Sequence, residues 1–521
     1  MLSPAKNGQS VRRFSFLHYL SVLISLCSIG LSLFALSAPS RELIIESTVA
    51  GQVPLTIFRD NAARKRPVIV IAHGFAGSQQ LMHPLAVTLA RNGFVAITFD
   101  FAGHGRNATP MRGGIKEMAK STEHLLSEID SIVQFGRTIE GSTGEVALAG
   151  HSMAAELVVQ YAMQNPGIEA TVALSLFGKA VTARSPRNLL VIAGAWEPGV
   201  LRDAGFRIAG LAANGPPQER VTYGEMSAGT SRRVVLAAGA EHIGVIYSND
   251  ALREATSWLN QVFNRTSTGY VESRGKWIGL LLLGLIFLAR PAFLLFPRVS
   301  ARTDERGAAG WRTFGIIAIV PMIVTPVLLW QAPTDFLPIL LGDYLAVHFA
   351  LYGLLCLAVL KFFAREQEAF KRPVIVSLKM LLLTAACIAA YQIVIMGLPI
   401  DWFVTSFAPS GMRWFIIPAM FVSTAIYFMA DAAVIRSFPH IRGSYALMKL
   451  CFAISLAIAV ALNPQKLFFL AIIVPVICLF FIMYCLFSRW SLRSTGEPYA
   501  AALGNALALA WAIAVTFPIV S

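Results

Sequence analysis

Residues Glu145–Glu156 read EVALAGHSMAAE. A short apolar run, Val146–Ala149, leads into Gly150-His151-Ser152-Met153-Ala154, and a helix-compatible run follows. A serine at a sharp strand-to-helix turn has its hydroxyl pushed into the open. Small residues two before and two after it let the backbone fold that tightly. Here the last small position is Ala154 rather than glycine. Five letters alone also fit an ordinary βα turn, so the segments on either side carry the argument.

From Arg41 to Phe263 short β-branched runs alternate with amphipathic stretches, the pattern of an α/β layer fold. Glu42–Thr48 and Val53–Arg59 flank Ala50-Gly51 and read as a hairpin. Pro67–Ala72 and Phe94–Phe99 are continuous apolar runs, as parallel strands buried on both faces require. Thr171–Phe177, Leu189–Ala193 and Val234–Ala238 supply further strands. Gly114–Phe135 reads as a helix with Met118, Leu125, Ile129 and Ile132 on one stripe, and Asn249–Phe263 as a closing helix.

The chain of 521 residues is 56% hydrophobic, too apolar for a purely soluble protein. Its net charge of +14 is unevenly spread. Arg41–Glu272 holds 21 basic and 20 acidic residues, whereas Ser273 onward holds 19 basic and 9 acidic. The excess lies beside hydrophobic segments, so it is a topology signal and not a nucleic-acid footprint. All six cysteines fall inside apolar spans, which leaves the polar middle region without a disulfide framework, thiol nucleophile or zinc spacing.

Phe14–Leu36, preceded by Arg12-Arg13, is long enough to cross a bilayer of roughly 30 Å and reads as an uncleaved signal anchor, with cleavage after Ala35-Leu36-Ser37 as the alternative. Eight further spans follow the polar linker: Trp277–Phe296, Thr313–Trp330, Leu337–Leu360, Val374–Met396, Trp414–Ile435, Ala446–Leu462, Leu467–Phe487 and Pro498–Val520. Alternate loops carry the basic residues, among them Arg302, Arg306, Arg365, Lys371, Arg372 and Arg442. The positive-inside rule then puts the N-terminus in the cytoplasm and the α/β region on the periplasmic or extracellular side. The expected organisation is an anchor (1–40), an α/β domain (41–265), a linker (266–276) and an all-α transmembrane bundle (277–521) in the plasma or inner membrane.

Chemistry-bearing residues cluster just past strand ends, where ligands gather in parallel sheets. His73-Gly74-Phe75-Ala76-Gly77-Ser78 follows Pro67–Ala72, and Asp100-Phe101-Ala102-Gly103-His104-Gly105 follows Phe94–Phe99. Then come the serine turn, Glu197 past Leu189–Ala193 and His242 past Val234–Ala238. In this order HGFAGS, DFAGHGRN and GHSMA resemble the α/β-hydrolase superfamily over roughly Arg41–Phe263. The resemblance implies a mostly parallel α/β-hydrolase sheet with Ser152 as nucleophile, His242 as base and Glu197 as the acid that orients it. It also implies an oxyanion hole made by the backbone N–H groups of Phe75 and Met153. Asp203 and Glu241 compete with Glu197 for the acid's place. His73, Asp100, His104 and His151 read as structural, and no metal or cofactor is expected. Only Gly178–Asn188 separates two strands, too short for the cap many relatives insert there, so the pocket is open or covered by Pro198–Ser231 or by the membrane helices.

The function expected is a membrane-anchored serine hydrolase, esterase- or lipase-like, cleaving an ester, thioester or amide of a lipid-like or envelope-associated acyl substrate through an acyl-serine. Its partners are membrane lipids and a small-molecule or lipid acyl substrate, with no nucleic acid; the oligomeric state is not legible. A serine peptidase, an acyltransferase, and a transport or assembly module that only binds a ligand are the alternatives. Asp343, His348 and Asp431 lie within apolar spans, where ionisable groups are functional candidates or inter-helix hydrogen-bonding groups. Lys379 and Lys449 are expected to snorkel to the inner face.

Overall fold

Eight strands form one sheet in the computed structural model, which describes residues 16–62, 64–114, 117–178, 180–266, 268–299, 310–364, 377–438 and 440–521. They are β1 (Leu43–Ala50), β2 (Val53–Asp60), β3 (Arg66–Ala72), β4 (Val95–Phe99), β5 (Ser142–His151), β6 (Ile168–Leu174), β7 (Leu189–Gly194) and β8 (Arg232–Ala237). Their order is β1-β2-β4-β3-β5-β6-β7-β8. The β1/β2 and β2/β4 pairs are antiparallel and every other pair is parallel. The strand period of two explains why β3 is apolar throughout. Val68 and Val70 face α3 (Met118–Thr138) and α4 (Met153–Gln164), whereas Ile69 and Ile71 face α2 (His83–Arg91) and α6 (Asn249–Val262). Both faces are dry, and Val68 to Ala72 are 0% exposed.

Every expected strand is present. Met118, assigned to the buried stripe of α3, is instead exposed at its first turn. The helix α5 (Gly199–Gly210) arises within Pro198–Ser231 and packs on β7 and β8, with Ile208 in one buried cluster with Leu189 and Val191 of β7 and Gly205 against Val234 of β8. This helix is a crossover belonging to the sheet, not a lid. Residues 175–188 hold no helix among those described, so β6 and β7 are joined without an inserted cap.

Nine helices among the described residues are long and apolar enough to cross a membrane. The first is α1 (Phe16–Ser37), which packs along α7 (Arg274–Phe293). Then come α8 (Trp311–Leu329), α9 (Gly342–Ala364), α10 (Leu378–Ala390) continuing into α11 (Gly397–Phe403), α12 (Arg413–Ser437), α13 (Ser444–Leu462), α14 (Pro464–Thr495) and α15 (Tyr499–Thr516). Arg12, Arg13, Phe14, Arg302, Arg306, Arg365, Lys371, Arg372 and the start of Val374–Met396 lie outside the described residues.

Three span ends differ from expectation for backbone reasons. The fourth span runs past Met396 because a π turn, Tyr391–Met396, precedes Pro399. Its wider register contains Ile395, the residue whose carbonyl a proline ring would strike in a regular α-helix. The third span begins at Gly342, not Leu337, because Ile339 and Leu340 pair as extended chain with residues 518–519. The last span ends at Thr516, since Phe517 precedes Pro518 and is driven to extended geometry, with φ −74° and ψ 146°.

That extended tail clasps the sheet region. Ile519 donates its N–H to Gly103 and accepts from Met111, while Arg413 of α12 donates to the Gly103 carbonyl at 2.7 Å. Gly103 has φ +73°, and a Cβ there would stand 2.2 Å from the Ile519 oxygen, so no side chain fits. The stretch read as a linker is also tied down. Thr268, Tyr270 and Glu272 hydrogen-bond to Asn92 and Thr88 along α2.

Candidate active site

Ser152 is the single residue between β5 and α4, at φ 57° and ψ −118°. This strained pair of angles is what a sharp strand-to-helix turn demands, and Ala154 in its last small position accommodates it. The Ser152 N–H donates to the Leu174 carbonyl at 2.9 Å, which fixes the turn to β6. Its hydroxyl meets His242 Nε2 at 2.9 Å. His242 Nδ1 lies 2.5 Å from Glu197 Oε1. Three side chains from three separate loops therefore form one hydrogen-bonded row.

Glu197 sits in the tight turn after β7, where its second carboxylate oxygen accepts the Gly194 N–H at 2.8 Å. Burial alone pushes this carboxyl up, but the hydrogen bonds from His242 and Gly194 and the nearby imidazole outweigh it. The net displacement is below the ordinary carboxylate value, so Glu197 is ionised and accepts from His242 Nδ1–H. That leaves Nε2 as the acceptor for the serine proton. The two competing acids lie elsewhere. Glu241 caps the turn at Ile243 and Gly244, and Asp203 is exposed on α5.

The loop His73–Ser78 lies directly on the serine turn. A Cβ on Gly74 would stand 3.1 Å from the Ser152 Cβ and 3.0 Å from the His151 oxygen, so a close approach favours glycine there. Phe75 is the next residue, and Met153 is the first of α4, where a helix N–H has no intrahelical partner. Phe75 and Met153, the two residues read as oxyanion-hole donors, are thus the chain neighbours of Gly74 and Ser152, which lie against each other.

The bracing groups are explicit. His73 Nε2 accepts from the Phe101 N–H, which leaves Nδ1–H to donate to the Gly74 carbonyl at 2.8 Å. Burial pushes His73 down, and it stays neutral. Asp100 accepts from the backbone and side chain of Gln79 and from the Arg106 N–H. His151, read from sequence as structural, braces the histidine loop: its Nε2 donates to the His242 carbonyl at 2.8 Å. Burial pushes His151 down to about 3, so it holds that loop as a neutral donor. Its position next to Ser152 was the only available signal.

Glu128 of α3 supports the neighbouring loop, accepting from the Ala102 N–H at 2.9 Å and from Asn107 Nδ2 at 3.2 Å. Burial pushes it up to about 7 against the opposing effect of those donors. A raised carboxyl favours the folded state fully below its ordinary value of 4.5, and that advantage is lost as pH rises through about 7. The loss is on the order of 3 kcal/mol. In Glu128→Gln this pH dependence is expected to vanish. Thermal melts of both proteins from pH 5 to 8 check it: the wild-type midpoint should fall toward that of the variant.

Among the described residues no cluster of His, Cys, Asp and Glu has the arrangement of a metal site. In the bundle, Asp343 caps the start of α9 by accepting from the Phe336 and Tyr344 N–H groups. His348 is fully buried and within 3.1 Å of Ser455 Oγ on α13, an inter-helix hydrogen bond. Lys449 does not snorkel; it is buried and paired with Asp431 at 2.7 Å.

Residues 63–199 match a family model described as Hydrolase_4, serine aminopeptidase, S33. The match takes in Ser152 and Glu197 and stops before His242. A monoacylglycerol lipase from Mycolicibacterium smegmatis is 26% identical over 180 residues, which cover 33% of this chain and 61% of the lipase. The chain thus spans less than two thirds of that relative. Among solved structures, a predicted CIB-like hydrolase from Thermoplasma acidophilum is similar at 16% identity and a TM-score of 0.32, covering 42% of this chain and 98% of that one. Est1E from Butyrivibrio proteoclasticus, bound to ferulic acid, is similar at 16% identity and a TM-score of 0.30, with coverages of 42% and 98%. The sheet domain has the α/β-hydrolase fold, followed by a helical region of long apolar helices.

Proposed function

We propose that this chain is a membrane-embedded serine hydrolase of esterase or lipase type, acting on an acyl substrate drawn from the bilayer. The observation that carries the reading is the row Ser152–His242–Glu197, with contacts of 2.9 and 2.5 Å. In it Ser152 attacks the acyl carbon as His242 Nε2 takes its proton. Glu197 holds the imidazole in the required tautomer and stabilises it once charged. The tetrahedral oxyanion is received by the N–H groups of Phe75 and Met153. Collapse expels the leaving group with the proton from His242. Water, deprotonated by the same imidazole, then releases the acid and restores the serine.

The likeness to a monoacylglycerol lipase supports a lipid ester, and the nine apolar helices support a site held within reach of a bilayer. The organisation that fits is an anchor, a hydrolase domain at 41–265, a linker at 266–276 and a bundle at 277–521, with the hydrolase domain outside the cytoplasm. The family model is described as an aminopeptidase, so peptide substrates are the second reading.

Incubating the detergent-solubilised protein with a fluorophosphonate probe and mapping the labelled peptide tests the mechanism. Labelling is expected at Ser152 alone and absent in Ser152→Ala. Labelling that persists in that variant overturns the assignment. Parallel assays with p-nitrophenyl esters and peptide anilides separate the two readings, with turnover expected on the esters.

A further inference from the structure

Two loops flank Ser152, and each presents an aromatic ring to the same turn of one membrane helix. Phe75, next to Gly74 on the serine turn, stacks on Phe469 with ring centroids 4.3 Å apart and planes 20° from parallel. Phe177 follows β6, whose Leu174 carbonyl receives the Ser152 N–H, and lies 6.5 Å from the ring of Phe468. Phe468 and Phe469 are consecutive residues near the start of α14, which begins at Pro464. Phe517, from the tail after α15, meets the edge of Phe75 at 6.3 Å.

The Phe75 loop is gripped by the bundle at its other end too. Ser78 Oγ accepts the Ser406 N–H at 2.9 Å and sits 3.0 Å from Thr405 Oγ1. Gln80 donates to the Asp401 carbonyl at 3.3 Å. Sheet and bundle thus close on this loop from two sides, while the described residues of 175–188 form no helix that could serve as a cap.

Resting on the serine-hydrolase reading above, we propose that the first turns of α14 are the cap. Phe469 is a positioning residue: through its stack on Phe75 it fixes the backbone N–H that receives the oxyanion. Phe468, 48% exposed, and the part-buried Phe177 frame the apolar opening through which a long acyl chain passes from the bilayer to Ser152. The substrate class this selects is an ester whose acyl group is a long alkyl chain resident in the membrane. A substrate of that kind needs no inserted lid, because its chain never leaves an apolar surface.

Full-length protein in lipid nanodiscs tests this, with kcat counted per fluorophosphonate-titrated serine so that misfolded molecules drop out. On p-nitrophenyl butyrate and p-nitrophenyl palmitate, Phe469→Ala is expected to lower kcat per labelled serine about 30-fold, since a displaced oxyanion donor costs rate rather than binding. Phe469→Tyr keeps the stack and should restore kcat to within about threefold. Phe468→Ala is expected to raise KM for the palmitoyl ester about tenfold more than for the butyryl ester, the scale of a few lost methylene contacts. Wild-type kcat per labelled serine in Phe469→Ala, or equal KM changes for the two esters in Phe468→Ala, would overturn the inference. A wild type that takes no label at Ser152 fails earlier, and that result indicts the serine mechanism instead.

Discussion

Glu197→Gln is expected to lower kcat by about 10⁴-fold while leaving the thermal midpoint nearly unchanged, the scale on which loss of the orienting carboxylate acts in serine hydrolases. The reason is specific to how both carboxylate oxygens are used. Oε2 receives the Gly194 N–H at 2.8 Å and Oε1 faces His242 Nδ1 at 2.5 Å. A glutamine that keeps its oxygen on Gly194 turns its NH₂ toward the histidine. His242 Nδ1 must then accept, its proton moves to Nε2, and Nε2 loses the lone pair that takes the serine proton. The opposite amide flip sets NH₂ against the Gly194 N–H, a buried donor facing a donor. Either way the side chain fills its place and the imidazole is in the wrong tautomer. Asp203→Asn, on an exposed face of α5, serves as the control and should retain activity. Steady-state rates on a p-nitrophenyl ester check both, and a Glu197→Gln enzyme within tenfold of wild type sinks the assignment.

Chain order brought Ser152, Glu197 and His242 forward because parallel strands announce themselves. PVIVIA and FVAITF are apolar at every position since both faces of the sheet are covered, so the ends of these two strands are readable to within one residue, whereas the run Thr171–Phe177 overshoots the end of β6 by three. Strand pattern does not separate Glu197 from Glu241. Both are loop glutamates near the histidine, and what separates them is a turn that aims one at Nδ1 and the other at its own backbone N–H groups. The bundle was legible as lengths of apolar chain and illegible as neighbours. Hydropathy gives each helix its span, but not that α12 lies against α9 and α15, nor that Phe469 meets Phe75 nearly four hundred residues away. The partner of His151 is illegible for the same reason: it is a backbone carbonyl 91 positions on. Long-range contacts between one side chain and one backbone group leave no periodic mark on a sequence.

Lys449 shows where that blindness has the largest energetic consequence. A lysine a turn or two from the end of a span is expected to reach for water, yet its ammonium is 2.7 Å from the Asp431 carboxylate and both residues are buried between α12 and α13. The rings of Tyr427 and Tyr445 stand 4.7 Å from the ammonium, with Phe428 at 5.1 Å and Phe481 at 5.3 Å. Arg436, nearer in sequence to Asp431, turns instead to Glu497 at 3.4 Å. Removing one partner strands a charge in an apolar interior, so Lys449→Met is expected to destabilise the bundle by about 3–5 kcal/mol. Asp431→Asn should cost less, because four ring faces still receive the ammonium, a contribution of about 2 kcal/mol where water is excluded. The double variant Asp431→Leu, Lys449→Met should come back close to wild type, since replacing a buried pair by apolar side chains removes the desolvation penalty along with the attraction. Unfolding in mixed detergent micelles, followed by tryptophan fluorescence, measures all three. A double variant as unstable as Lys449→Met would show that the pair is held by more than mutual neutralisation. Normal ester turnover in a stable double variant would assign the pair to packing of the bundle, and selective loss of turnover would tie it to the reaction at Ser152.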